Sequence, residues 1–195
     1  MDRVVLFGPP GVGKGTQGGR LAAALGVPAV STGDLFRAHV KDGTDLGKRM
    51  SALITAGDYV PDSVTNTMLA ERLAEPDAAR GFLLDGYPRT ADQVAELDRI
   101  VAASGASLDA VLLLAAPDEV LEERLLLRSA EQGRSDDTPE VIRHRLALYH
   151  RETEPLVALY DAADMVVRVD GTGTPDDVHE RLLTAISLRE PSALS

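Results

Sequence analysis

Short apolar runs recur along the chain at Val4 to Phe7, Ala29 to Val30, Phe82 to Leu84, Ala110 to Ala115 and Met165 to Val169, each bounded by turn-forming residues. Such runs read as buried strands. The segments between them repeat apolar residues at the three- and four-residue spacing of a helix face. They predict helices over Lys14 to Leu25, Asp34 to Asp42, Leu46 to Ala56, Ser63 to Leu73, Ala91 to Ser104, Asp118 to Leu127, Pro139 to His150, Glu154 to Asp161 and Asp176 to Leu188. Pro155 lacks an amide hydrogen and marks a break or a new first turn there. Strands joined by helical crossovers must run parallel. The pattern therefore predicts an α/β fold, a five-stranded parallel sheet flanked by helices, with ligands gathered at the carboxyl ends of the strands.

Two segments interrupt the alternation. Asp34 to Leu73 carries several helices where a simple crossover needs one, so it reads as an inserted subdomain. Ser129 to Asp137 is polar, contains Gly133 and has no apolar period, so it reads as an exposed loop, with an ordinary surface turn as the plainer alternative.

Composition narrows the picture. With 195 residues and 44% hydrophobic content the chain suffices for one well-cored domain with small appendages. A net charge of -11 argues against a general nucleic-acid or anionic-membrane surface, so any phosphate site has to concentrate positive charge locally. The absence of cysteine removes disulfides and Cys-ligated zinc, and fits a cytoplasmic protein. The first residues, Met1-Asp2-Arg3 and a short apolar run, resemble neither a signal peptide nor a membrane span.

The local charge is found directly after the first strand, in Gly8-Pro9-Pro10-Gly11-Val12-Gly13-Lys14-Gly15-Thr16. A glycine-rich turn between a strand and a helix is the context of a phosphate-binding loop. Glycines let successive N–H groups curl inward, the helix start adds partial positive charge, and Lys14 adds a full one for β and γ phosphates. Gly11, Val12, Gly13, Lys14, Gly15 and Thr16 are thus candidate ATP contacts within a P-loop NTPase fold. The competing reading is a plain strand-to-helix turn with a solvated lysine. Gly15, rather than Ser or Thr, follows the lysine, and Thr16 comes one place later.

With this ending, Gly-Lys-Gly-Thr, the chain resembles the adenylate kinases in their short-lid form, and four further motifs extend the resemblance from about Arg3 to the last helix. Ser31-Thr32-Gly33-Asp34-Leu35-Phe36-Arg37 and Gly57-Asp58-Tyr59-Val60-Pro61 are similar to the two ends of the family's acceptor-binding insertion. Leu84-Asp85-Gly86-Tyr87-Pro88-Arg89-Thr90, with Gln93 beyond, is similar to the family signature, Tyr87 standing where Phe is more usual. Arg128, Gly133-Arg134-Ser135-Asp136-Asp137 and Arg145 resemble the lid motif.

The resemblance implies one nucleoside monophosphate kinase domain over 1–195, with its core in 1–30, 61–127 and 139–188, an acceptor-binding insertion over 31–60 and a short lid over 128–138. It implies reversible phosphoryl transfer from ATP to AMP giving two ADP, with Mg²⁺ as the cofactor, no structural zinc, and a monomeric protein. Thr32 and the backbone of Asp58, Tyr59 and Val60 would hold the AMP nucleoside, with Gly86, Tyr87 and Pro88 beside it. Gln93 offers an amide donor and acceptor to the adenine edge. Arg37 and Arg89 suit a clamp on the AMP phosphate, since a planar guanidinium grips phosphate oxygens with paired hydrogen bonds; otherwise they are surface arginines near acids. From the resemblance, Arg128 would contact ATP, and Arg134 and Arg145 would reach the phosphates being exchanged. Asp85, ending a strand, can orient Mg²⁺ through water, or it caps or braces structure. Gly171 resembles the family's backbone contact to the ATP adenine, or is a turn glycine. A kinase for UMP or CMP is the nearest rival, against which Thr32 and Gln93 speak. A non-catalytic nucleotide switch would not require a second set of arginines.

Overall fold

A computed structural model describes residues 2–132 and 138–189. Five strands, β1 (Arg3–Phe7), β2 (Ala29–Ser31), β3 (Phe82–Asp85), β4 (Ala110–Ala115) and β5 (Val166–Asp170), form one sheet in the order β2-β3-β1-β4-β5. Every pairing is parallel, with Val5 level with Leu84 on one side and with Val111 on the other. The α/β sheet expected from the apolar runs is present. β5 is displaced by one residue from the expected span, and β2 and β3 each run to a polar residue, Ser31 and Asp85.

The central strand shows why these runs are apolar on both sides. Its side chains alternate, so Val4 and Leu6 enter one core and Val5 and Phe7 the other. The first core packs against α1 (Lys14–Leu25), α6 (Asp118–Gln132), α7 (Pro139–Leu148) and α9 (Pro175–Arg189), through Leu21, Leu121, Ile142 and Leu182. The second packs against α4 (Asp62–Leu73), α5 (Ala91–Ala103) and α8 (Val157–Ala162), through Leu69, Leu97 and Tyr160. A third, small cluster of Phe36, Val60 and Met68 gives α2 (Thr32–Lys41) and α3 (Asp45–Ala56) a core of their own, with Leu46, Met50 and Ile54 against it.

Side-chain caps set several helix starts. Ser31 accepts from Asp34 N at 3.3 Å, which starts α2 two residues before the expected Asp34, and Thr90 accepts from Gln93 N at 3.2 Å at the head of α5. Two expectations need correction. α6 continues to Gln132, so residues 129–132 are helical where a loop was expected. Ser129-Ala130-Glu131-Gln132 contains no glycine or proline to stop the helix. His150 does not lie in α7: Tyr149–Thr153 form a π-turn, followed by a 3₁₀ turn over Glu154–Leu156. Pro155 cannot donate back to the preceding turn, and the helix widens before it. Gly133, Arg134, Ser135, Asp136 and Asp137, the centre of the expected lid, lie outside the described residues.

Candidate active site

The carboxyl ends of β1, β3 and β5 open onto one cleft of about 680 Å³. The turn after β1 leads into α1 through Gly13, whose φ of 106° is a left-handed conformation that a side chain would strain. Lys14 follows as the first residue of the helix, and its ammonium turns back to donate to the carbonyls of Gly8 at 2.6 Å and Pro9 at 2.9 Å. Burial lowers the Lys14 pKa from 10.5 to about 8; Asp85 opposes the shift, and the positive charges of Arg89, Arg145 and Arg128 add to it. Lys14, Asp85, Arg89, Arg128 and Arg145, from α1, the end of β3 and the turn after it, α6 and α7, border one space.

Gly11, Val12, Gly13, Lys14, Gly15, Thr16, Asp85, Gly86, Arg37, Arg89, Arg128, Arg145 and Gly171 all line this cleft. Thr16 is exposed within it. Gly171 N donates to Ala115 O at 2.8 Å, and a Cβ at Gly171 would sit 2.7 Å from Val12 Cγ2. Close packing therefore accounts for glycine at this position. Its carbonyl accepts from Arg124 Nη1 at 2.8 Å.

A second cavity of about 80 Å³ opens between the sheet and the insertion, and it gathers Thr32, Arg37, Asp58, Tyr59, Val60, Gly86, Arg89, Gln93 and Arg145. Thr32 Oγ1 and Arg89 Nε both donate to Gly86 O, at 2.9 and 2.7 Å. Gln93, 2% exposed, accepts from Arg89 N at 2.7 Å and donates to Asp62 Oδ1 at 2.7 Å. Each end of its amide keeps one further hydrogen-bonding position, a donor beside an acceptor. Arg37 pairs with Asp34 and lines both cavities.

Tyr87 is a core residue that also borders a cavity. Its side chain is 1% exposed and belongs to the second core, and its hydroxyl donates to Asn66 Oδ1 at 2.8 Å. Tyr87 and Pro88, joined by a cis peptide bond, border a smaller cavity of about 70 Å³ that also reaches Lys14, Arg89 and Arg145. The tyrosine in place of phenylalanine is accommodated because its hydroxyl finds buried partners.

Sequence reasoning missed Arg124. It lies one helical turn before Arg128 on α6 and also lines the large cleft, donating to the carbonyls of Gly171 and Gly173, the latter at 3.2 Å. The signal was the i, i+4 spacing of the two arginines on a helix whose first turn is acidic. Asp62 was missed as well; it holds Gln93 and, at 2.6 Å, Thr90 Oγ1.

The two cavities meet along Gly33, Arg37, Gly86, Arg89 and Arg145. Mg²⁺ fits this cleft as an ion carried by the nucleotide. Asp85 brings one half-buried carboxylate, and among the described residues no three His, Asp or Glu side chains gather into a metal cage. No helix among the described residues is long and apolar enough to cross a membrane.

Comparison with known proteins agrees with this geometry. Residues 6–165 match the family model for adenylate kinase. An adenylate kinase of Kocuria rhizophila is 55% identical over 186 residues, 95% of this chain and 99% of the relative. One of Micrococcus luteus is 57% identical over 186 residues, 95% of this chain and 91% of the relative, and one of Nocardia farcinica is 52% identical over 184 residues, 94% and 98% of the two.

Proposed function

This chain belongs to the adenylate kinase family and is an ATP:AMP phosphotransferase, and we propose how its side chains divide that work. The reaction is reversible: an AMP phosphate oxygen attacks the γ-phosphorus of ATP, the bond from that phosphorus to the β-γ bridging oxygen breaks, and two ADP result. Alignment and charge neutralisation are what this transfer asks of a protein.

Gly11 to Thr16 wrap the donor phosphates, with Lys14 at the β and γ groups once it leaves the carbonyls of Gly8 and Pro9. Arg128 holds ATP from α6, and the backbone at Gly171 lies toward its base. Arg37 and Arg89 clamp the acceptor phosphate. Thr32 and the strip Asp58 to Val60 hold the nucleoside, and the remaining donor and acceptor of Gln93 meet the adenine edge. Arg145 reaches the group in transit, joined by Arg134 when residues 128–138 act as a lid that closes over the phosphates and keeps water away. Asp85 would hold Mg²⁺ through water, and the ion carried with ATP would screen phosphate charge. In this reading the protein works as a cytoplasmic monomer without nucleic acid or membrane, and 31–60 forms the acceptor insertion on a single core.

The observation that carries this reading is the gathering of Arg37, Arg89, Arg128 and Arg145 with Lys14 along one cleft of an acidic chain. The test is steady-state kinetics with a coupled ADP assay. Arg37→Ala and Arg89→Ala should each raise the KM for AMP by about tenfold or more, the scale of a lost charge-assisted hydrogen bond, with the KM for ATP within about twofold. An unchanged KM and kcat with AMP would remove either residue from the clamp.

A further inference from the structure

Arg89 is carried by the turn between β3 and α5, on the core, yet its guanidinium is partly oriented by a side chain of the insertion. The core supplies three contacts. The Arg89 amide donates to Gln93 Oε1, its Nε donates to Gly86 O, and its carbonyl accepts from Thr153 Oγ1 at 3.0 Å. The insertion supplies the fourth: Arg89 Cζ lies over the ring of Tyr59, 4.9 Å from its centroid.

Tyr59 is itself tied to the core. Its hydroxyl is 2.8 Å from Thr153 Oγ1, and Thr153 has one hydroxyl hydrogen, already given to the Arg89 carbonyl, so Tyr59 is the donor in the pair. Thr153 is 4% exposed and ends the π-turn that follows α7. One threonine hydroxyl thus holds the Arg89 backbone with its hydrogen and the Tyr59 ring with its lone pair.

We propose that the Tyr59 side chain is a positioning residue, a contact from the insertion that fixes the plane of the Arg89 guanidinium in the acceptor-phosphate clamp. The proposal rests on the reading that Arg89 grips the acceptor phosphate. Stacking occupies the face of a guanidinium and leaves its edge, where the N–H groups point, to meet phosphate oxygens. A docked Tyr59 therefore fixes the plane of Arg89 without competing for its donors. Without the ring, the guanidinium keeps only its Nε contact to Gly86 O. Tyr59 also lines the cavity under the insertion, so one residue would couple nucleoside binding there to phosphate binding at the clamp.

The test is a kinetic cycle on the full chain, with thermal melts as a check on folding. Tyr59→Leu should raise the KM for AMP by about fivefold, the size of a partly desolvated cation–π contact, and leave the KM for ATP within about twofold. Tyr59→Phe keeps the ring and should recover most of that loss. In an Arg89→Ala background Tyr59→Leu should add nothing, because the tyrosine acts through the arginine. An equal loss in that background, or Tyr59→Phe as damaging as Tyr59→Leu, would overturn the proposal. If Tyr59→Leu melts early, Tyr59→Met makes the same comparison with a longer side chain. If Arg89→Ala alone leaves the KM for AMP unchanged, the clamp reading fails first and the proposal falls with it.

Discussion

Asp58 Oδ1 lies 2.6 Å from Nε2 of His144, joining the far end of the insertion to α7 one residue before Arg145. The pair is 44% and 45% exposed, so its attraction is screened and small. It nevertheless ties the insertion to α7. His144→Ala should raise the KM for AMP about twofold to fivefold, and His144→Gln, which keeps a donor for the carboxylate, should recover part of that loss. A His144→Gln as impaired as His144→Ala would mean that the hydrogen bond contributes nothing.

Lys14 offers a sharper contrast between stability and activity. Its pKa of about 8 against 10.5 means that the unfolded chain binds its proton more tightly than the folded one. The stability cost is present in full below pH 8 and is relieved as pH rises toward 10.5. Lys14→Met should therefore melt no earlier than wild type at pH 7 and lack the rise in stability above pH 8. Its kcat should fall on the order of a thousandfold, the scale of a charge that stabilises a transferring phosphoryl group. Calorimetric melts from pH 7 to 10 beside a coupled assay read both; turnover within a few-fold of wild type would give the loop another job.

His150 carries the opposite sign. Its Nδ1 lies 2.8 Å from Glu154 Oε2 and its Nε2 3.1 Å from Asp118 Oδ2, bridging the π-turn to the start of α6. The Glu154 hydrogen bond, ahead of an opposing burial effect and a further contribution from Asp118, raises its pKa above 6.5. Its stabilisation is complete below pH 6.5 and is lost as pH rises through the raised value. His150→Gln should flatten that part of the melting-temperature profile; identical profiles for the two proteins would show that the bridge contributes nothing.

Glycines in two helices should respond in opposite ways. A Cβ at Gly19, in the exposed middle of α1, would meet nothing within 4 Å, so Gly19→Ala should stabilise by about 0.5–1 kcal/mol. A Cβ at Gly47 would sit 2.1 Å from His39 O, where α3 approaches the end of α2, so Gly47→Ala should destabilise the insertion. Chemical denaturation of both variants separates the cases, and a stabilised Gly47→Ala would contradict the close approach.

The chain's short-range patterns determined a good part of this protein. Alternation along Val4 to Phe7, the glycine turn before Lys14 and the punctuated apolar runs each act over a few residues, and they specify a parallel α/β sheet with a phosphate loop at its centre. The arginines at 37, 89, 128 and 145 were legible from the motifs that contain them. Tertiary structure alone decided which of their atoms are oriented and by what. Thr153 meets Arg89 across 64 positions and His144 meets Asp58 across 86. No local periodicity encodes such pairs, because they depend on how separately formed helices pack. Arg124 escaped notice for the same reason, since its partners are carbonyls of loops brought to it by β5 and the β1 turn. The continuation of α6 through Gln132 and the π-turn at Tyr149–Thr153 hinge on backbone hydrogen bonds that composition leaves open. The lowered pKa of Lys14 likewise arises only when burial and three distant arginines are assembled around one ammonium group, because desolvation and Coulomb interaction depend on distance in space and not along the chain.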